Sequence, residues 1–423
     1  MDNMEYADLN RYQDILDQLP MLQEVIEAFS AAITKVRQKV PWMGARVVNI
    51  GKRSGNSGLA RVIAWPAPNP PIVVKDLQDQ VPSFSAFVAC KAPLSMIDSD
   101  LFTPVPGFPQ PFHDSDKNPA HTILVQVNFV KGGVVNFSIH HHMADAGGHF
   151  GLVQMIAMVM RGEEIPVDLL KDVNADRRTL FPLLGKTSPC STTAATHIFH
   201  FTADKLKQLK ALASQKEGFD PAVPYITTDD ALCALCWQRL LAVRQQLHPD
   251  SMTPSTISCC ARSADGRRIL GISPNYMGDV IHNIGTEISI AGITDSPLSS
   301  VACRLRTRVN ESNNDTYHIR SFATLIANEP DKSTITYGGD FNPTVDFATS
   351  SIVARSASLF PDFGRTLGKP LFVRRPSTTP FPGVGVFLPT EDGGIDVFFG
   401  LVQDEFEVLR KDEAWNRFAE YIG

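Results

Sequence analysis

Ser138-Ile139-His140-His141-His142-Met143-Ala144-Asp145-Ala146-Gly147-Gly148 decides how this chain is read. The run Val134 to Ile139, which follows a Lys131-Gly132-Gly133 turn, has the residue types of a strand. Side chains alternate along a strand, so Val135, Phe137, Ile139 and His141 are expected on one apolar face. Asn136, Ser138 and His140 fall on the other. His141 thus reads as a polar group ending an apolar stripe, with Asp145 four positions on, past the strand. Gly147 and Gly148 are expected to turn the backbone tightly before a helix over 149–160. A histidine run can gather a metal, but neighbours on a strand point oppositely, so His140 and His141 do not share an ion and no metal is expected. A strand-end His is more often simply solvated. The His-His-x-x-x-Asp spacing is a weak signal alone, and the rest of the chain gives it weight.

The chain has 423 residues, more than one hydrophobic core ordinarily serves, so two domains are expected. Hydrophobic content of 43% with 20% charged residues suits a globular protein. The net charge of −6 argues against nucleic acid as a partner. No apolar run approaches the ~18 residues of a membrane span. The acidic start, Met1-Asp2-Asn3-Met4-Glu5, lacks the basic-then-apolar order of a signal peptide, so a cytoplasmic location is expected. The 7 cysteines are odd in number and scattered, which is not a disulfide framework. Cys233 and Cys236 form a CxxC within a helical pattern and read as small buried apolar residues.

Leu22, Val25, Ile26, Phe29, Ile33, Val36 and Val40 recur at helical spacing until Pro41 stops them. Residues 51 to 119 are rich in Pro, Gly and Ser and read as strands joined by loops, the run Ser85 to Val88 included. Thr122–Val130 and Val134–Ile139 read as a hairpin. Periodicity is lost over 163–195, with Pro166, Pro182 and Pro189, which reads as a linker. Asp229 to Gln246 is the clearest helix, capped by Thr227 or Thr228, with Leu232, Leu235, Cys236, Arg239, Leu240 and Val243 on one face. Strands and helices mix without a strict βαβ rhythm, which favours layered α/β architecture over a barrel.

Further segments complete a pattern. Thr227-Thr228-Asp229-Asp230-Ala231-Leu232 runs on to Trp237 and Arg244. Asp265-Gly266-Arg267 precedes Tyr276-Met277-Gly278-Asp279. Asp362-Phe363-Gly364 precedes Gly368-Lys369-Pro370. With His141-His142-Met143-Ala144-Asp145, these segments in this order resemble the BAHD acyltransferases, the HxxxD group of CoA-dependent transferases. The likeness covers almost the whole chain and is strongest to the fungal branch that includes trichothecene acetyltransferases. Departures are Ala146 where Gly is usual, Asp279 where Asn is usual, Ser351 in place of a Trp, and Arg365-Thr366-Leu367-Gly368 where the family's DFGWG box has its Trp.

The resemblance implies a mixed α/β fold of two chloramphenicol-acetyltransferase-like domains with a channel between them. The expected bounds are 1–180, a crossover over 181–195, and 196–423. It implies acyl-CoA, acetyl-CoA in the simplest case, as co-substrate with no tightly bound cofactor, a small-molecule alcohol or amine as acceptor, and a monomer. Neutral imidazole, with a reference pKa of roughly 6.5, is suited to deprotonate a hydroxyl near neutral pH, and His141 is the expected general base. Asp145 invites a triad-like role orienting that ring. The resemblance implies instead that it points away and pairs with Arg267. Thr349 and Ser350 are the oxyanion candidates, and Lys369, Arg374 and Arg375 the candidates for CoA phosphates. Acceptor contacts are expected from 51–119 and 310–345. Two alternatives stay open: condensation-type transfer from a carrier-protein thioester, and a non-catalytic relative that binds a metabolite or partner.

Overall fold

A computed structural model describes residues 15–65, 72–105, 119–174, 194–313, 315–331, 341–365, 367–375 and 381–423. Helix α1 (Ile15–Lys39) buries Val25, Phe29, Ala32, Ile33 and Val36, the expected helical stripe, and stops before Pro41. Strands β1 (Arg46–Ile50) and β2 (Leu59–Ile63) form a hairpin, and β3 (Val73–Asp76) follows. The reading of strands and loops over 51–119 needs correction. Ser85 to Val88 lies in a short helix, Phe84–Ala89, because Ser83 caps it by accepting from the Ala86 amide. Strand β4 (Ala120–His121) joins β1, giving a sheet ordered β2-β1-β4. Strands β5 (Ile123–Phe129) and β6 (Gly133–Ile139) are the expected hairpin and pair with β3 in a second sheet. Helix α2 (Ala146–Met160) packs on α1 and buries Leu152 and Ile156 in one cluster with Val25 and Phe29 of α1 and Ile123, Val125 and Val127 of β5.

The C-terminal half is one sheet and its helices. Strand β7 (Ala195–Phe201) leads to α3 (Ala203–Ala213) and α4 (Thr228–Leu247). Then come β8 (Ile257–Asp265), β9 (Ile281–Ser289), α5 (Leu298–Ser312), α6 (Thr316–Asn328) and β10 (Phe347–Ser351). Strands β11 (Val384–Pro389) and β12 (Ile395–Leu401), helix α7 (Gln403–Leu409) and β13 (Glu420–Tyr421) complete it. The order is β13-β7-β12-β11-β10-β8-β9, with β10 parallel to both its neighbours. Thr227 caps α4 in a reciprocal box with Asp230. The expected single apolar face of α4 is corrected: Asp230 through Trp237 are all buried, since the helix is sheathed by the sheet and by α3, α5 and α7. The opposite sheet face carries Ile198, Leu388 and Phe398 and meets Leu94 of the N-terminal half.

The expected crossover, 181–195, lies outside the described residues except for its last two positions. Two C-terminal segments insert into the N-terminal core. Met277 and Phe363 are buried within it, Phe363 stacking on Phe137 at 6.3 Å. Leu367, just before Gly368, packs on the same core, so the altered DFG segment still plugs the other half with apolar side chains. Among the described residues, no helix is long and apolar enough to cross a membrane.

Candidate active site

Asp145 is the N-cap of α2: its Oδ1 accepts from the Gly148 amide at 2.9 Å, satisfying one of the helix's orphan donors. Its Oδ2 accepts from Arg267 Nη2 at 2.7 Å, and both residues are buried. Arg267 follows β8 and gathers the loop after it. Its Nε donates to the Tyr276 carbonyl at 2.9 Å, Nη2 to the Gly278 carbonyl at 2.8 Å, and Nη1 to Asp265 Oδ1 at 2.9 Å. Burial works against the guanidinium charge, but Asp145 and Asp265 hold its pKa above the ordinary value. Both carboxylate oxygens of Asp145 are thus committed away from His141, so the triad-like orienting role is not available to it.

Gly147 and Gly148 sit inside the first turn of α2, which starts at Ala146 and not at the expected His149. Their use is close approach. A Cβ on Gly148 would lie 2.2 Å from the Met277 carbonyl oxygen, so only glycine lets the 276–279 loop rest on the helix.

The expected placement of His141 on the apolar face with Ile139 is corrected. Strand β6 ends at Ile139, and residues 141–143 form a turn closed by Met143 N donating to the His140 carbonyl at 2.7 Å. Met143 is drawn down into a cluster with Val47 and Ala120, which turns His141 outward. The His141 side chain is 64% exposed, and its Nδ1 stands 3.7 Å from Oδ2 of Asp279 in the loop pinned by Arg267. The site therefore straddles the two halves, with the imidazole from one and the carboxylate from the other. Asp279 Oδ1 accepts from the Ile281 amide at 2.9 Å. Burial raises the Asp279 pKa, while the Ile281 amide and then His141 pull it back. Flanking imidazoles are kept neutral: burial lowers the His142 pKa, and lowers that of His149, on α2, to about 4.

The remaining candidates separate. Thr349 is buried under α4, its hydroxyl 3.8 Å from Cys233 Sγ, so the expectation that it meets the oxyanion is corrected. Strand alternation puts Ser350 on the other face, beside Ser263, and leaves it half-buried. Lys369 and Arg375 are exposed. Arg374 is turned inward and its assignment to CoA phosphate is corrected. It pairs with buried Asp396 at 2.9 Å, which also meets His200 at 2.7 Å, and donates to the Lys91 and Ala92 carbonyls, clamping the two halves. Among the described residues, no three His, Cys, Asp or Glu side chains gather as a metal site. Of the acceptor loops, 66–71, 106–118 and 332–340 lie outside the described residues, as does Asn314. Sequence reasoning missed the approach of Asp279 to His141; its one signal was an acidic residue where the resembled box has Asn.

Comparison with known proteins places this geometry. A model of the trichothecene 3-O-acetyltransferase-like N-terminal domain matches residues 12–160, and the Transferase family model matches residues 108–415. The chain is 43% identical to the O-acetyltransferase epaC of Aspergillus niger over 99% of this chain and 98% of that protein. It is 36% identical to the O-acyltransferase pigD of Monascus ruber over 98% and 99% of the two. The fold superposes on the crystal structure of the Fusarium sporotrichioides protein TRI101, complexed with coenzyme A and T-2, with a TM-score of 0.86 and 28% identity over 96% of this chain and 93% of that one. The chain belongs to the Transferase family, the BAHD acyltransferases, and to its fungal branch with the trichothecene acetyltransferases.

Proposed function

We propose that the protein is an acyl-CoA-dependent O-acyltransferase that acetylates a hydroxyl of a fungal secondary metabolite, with His141 as general base. The observation that carries the role of His141 is its position: an imidazole on a turn between the halves, reachable by solvent, with Nδ1 toward a carboxylate of the opposite half. Nε2 is then the nitrogen assigned to the acceptor. It takes the hydroxyl proton as the oxygen attacks the thioester carbonyl. The tetrahedral oxyanion collapses, the C–S bond breaks, and the imidazolium returns the proton to the CoA thiolate. No covalent acyl-enzyme is needed, and Ser138, within β6, has its hydroxyl on Asn136 Oδ1 at 2.7 Å.

Ser350 is the remaining oxyanion donor in this reading, and Lys369 and Arg375 the cations offered to the CoA phosphates. The enzyme is taken to work as a cytoplasmic monomer, the second point being open to size-exclusion chromatography. The test of the activity is purified protein with acetyl-CoA and a panel of polyketide and terpenoid alcohols, following free thiol. Acceptor-dependent CoA release that His141→Ala abolishes is expected. Release only from a carrier-protein thioester, or none from any acyl-CoA, would reject the reading.

A further inference from the structure

We propose that Asp279 is the positioning residue of the catalytic imidazole: its carboxylate holds the Nδ1 side of His141 and balances the positive charge that forms on the ring during transfer. The inference rests on the reading of His141 as the base, and goes beyond it in saying what orients that base.

Three observations support it. The obvious partner, Asp145, is spoken for, with Oδ1 on the Gly148 amide and Oδ2 on Arg267, both within hydrogen-bond distance. Asp279 has the complementary arrangement. Its Oδ1 is fixed by the Ile281 amide at 2.9 Å, which leaves Oδ2 toward His141 Nδ1 at 3.7 Å. That separation is ion-pair range and longer than a hydrogen bond. Such contacts in unliganded sites tighten when substrate arrives. The third is the mounting. Arg267 grips the carbonyls of Tyr276 and Gly278, the residues leading into Asp279, while Met277 is buried in the N-terminal core. The carboxylate is thus carried on a loop tied to both halves, as a group that must hold a ring in register requires.

The charges around the ring leave Asp279 as the effective one. From its own turn His141 meets His142, and from α2 His149; burial lowers the pKa of both, and at neutral pH they carry no charge. Behind Asp279 stand Asp145 and Arg267, an ion pair whose two charges act on it in opposite directions, and Arg267 is shared with Asp265, which also holds Arg355. An Asn in the place of Asp279 keeps the Ile281 contact and the loop but removes the charge, so the substitution isolates the electrostatic role.

The experiment compares Asp279→Asn, Asp279→Glu and His141→Ala with the parent enzyme, measuring kcat and the KM for acetyl-CoA, with melting temperature as the control. For Asp279→Asn the expected result is a kcat lower by about tenfold or more, with the acetyl-CoA KM and the melting temperature unchanged. Asp279→Glu, which restores the charge, is expected to recover part of the rate. Parental kcat in Asp279→Asn, or a loss that Asp279→Glu does not relieve, with His141→Ala inactive, would overturn the role of Asp279 and leave the base standing. An active His141→Ala would overturn the base itself, and this inference with it.

Discussion

Asp145 and Arg267 stand 122 positions apart in the chain and meet at 2.7 Å, buried, where the two halves touch. The pair does two things at once. It caps the helix that follows the HxxxD box, and it fixes the loop that carries Asp279 toward His141. The aspartate of the box therefore acts on the site through the loop it anchors.

Asp145→Asn separates cap from charge. Asn caps a helix about as well as Asp, so what is lost is the partner of a buried guanidinium. Breaking one side of such a pair costs ~3–5 kcal/mol. A clear fall in melting temperature and in folded yield is expected, along with lower turnover. A variant as stable as the parent and merely inactive would contradict this anchoring role.

Gly148 and Gly151 lie on the same helix and give a paired test. Alanine in a helix interior is ordinarily favoured over glycine by ~1 kcal/mol. At Gly151 the nearest atom to a new Cβ is the flexible Met277 Cε at 3.8 Å, so Gly151→Ala is expected to be neutral or stabilising. At Gly148 the backbone oxygen of Met277 is 2.2 Å away, so a Cβ there is accommodated only by moving backbone. Gly148→Ala is expected to cost about 1–3 kcal/mol in denaturant titration and to lower kcat as Asp279 is displaced.

His141→Ala truncates a side chain that is 64% exposed, so its unfolding free energy is expected within ~0.5 kcal/mol of the parent. Its turnover is expected to fall ~10²- to 10⁴-fold. Thr349→Val and Ser350→Ala divide the oxyanion question. With its hydroxyl against Cys233, Thr349 is expected to tolerate valine with kcat unchanged, whereas loss of an oxyanion donor at Ser350 is expected to cost ~10²-fold or more.

Arg374 and Arg375 are adjacent in sequence and opposite in expected effect. Arg374→Ala leaves Asp396 with His200 as its ion-pair partner and removes the donors to the Lys91 and Ala92 carbonyls, and a folding loss of ~1–3 kcal/mol is expected, read by melting temperature. Arg375→Ala is expected to leave the melting temperature alone and raise the KM for acetyl-CoA several-fold. An Arg374 variant that stays stable but binds CoA poorly would reverse the assignment.

Three imidazoles make the fold acid-sensitive. Burial first, helped by Arg46 at His121 and by His318 at His282, pulls His121, His149 and His282 from 6.5 to about 4. Between those limits the unfolded chain binds protons that the folded chain refuses, so stability falls as pH drops. Their contribution is intact above pH 6.5 and is lost progressively toward pH 4. Melting temperatures recorded from pH 7.5 down to 4.5 are expected to decline through that window, and a profile flat to pH 4.5 would contradict the burial of these rings.

Local chemistry alone was enough for much of this protein. Apolar spacing marked α1 as far as Pro41, the glycine turn marked the β5–β6 hairpin, and the Thr227-Thr228 pair marked the start of α4, because each signal acts within a few residues. The order of the boxes carried the family. What tertiary structure alone decided was where side chains end up once the halves close. Strand parity placed His141 on an apolar face, but the strand ends at Ile139 and the turn over 141–143, drawn in by buried Met143, points the ring toward Asp279. Gly148 has the residue type of a turn, yet its use is the close approach of Met277, and Arg374, a cation of the kind that binds phosphate, is taken up by Asp396 and the Lys91 and Ala92 carbonyls. Contacts between segments more than a hundred residues apart depend on how two cores dock, and no periodicity within either segment encodes that docking.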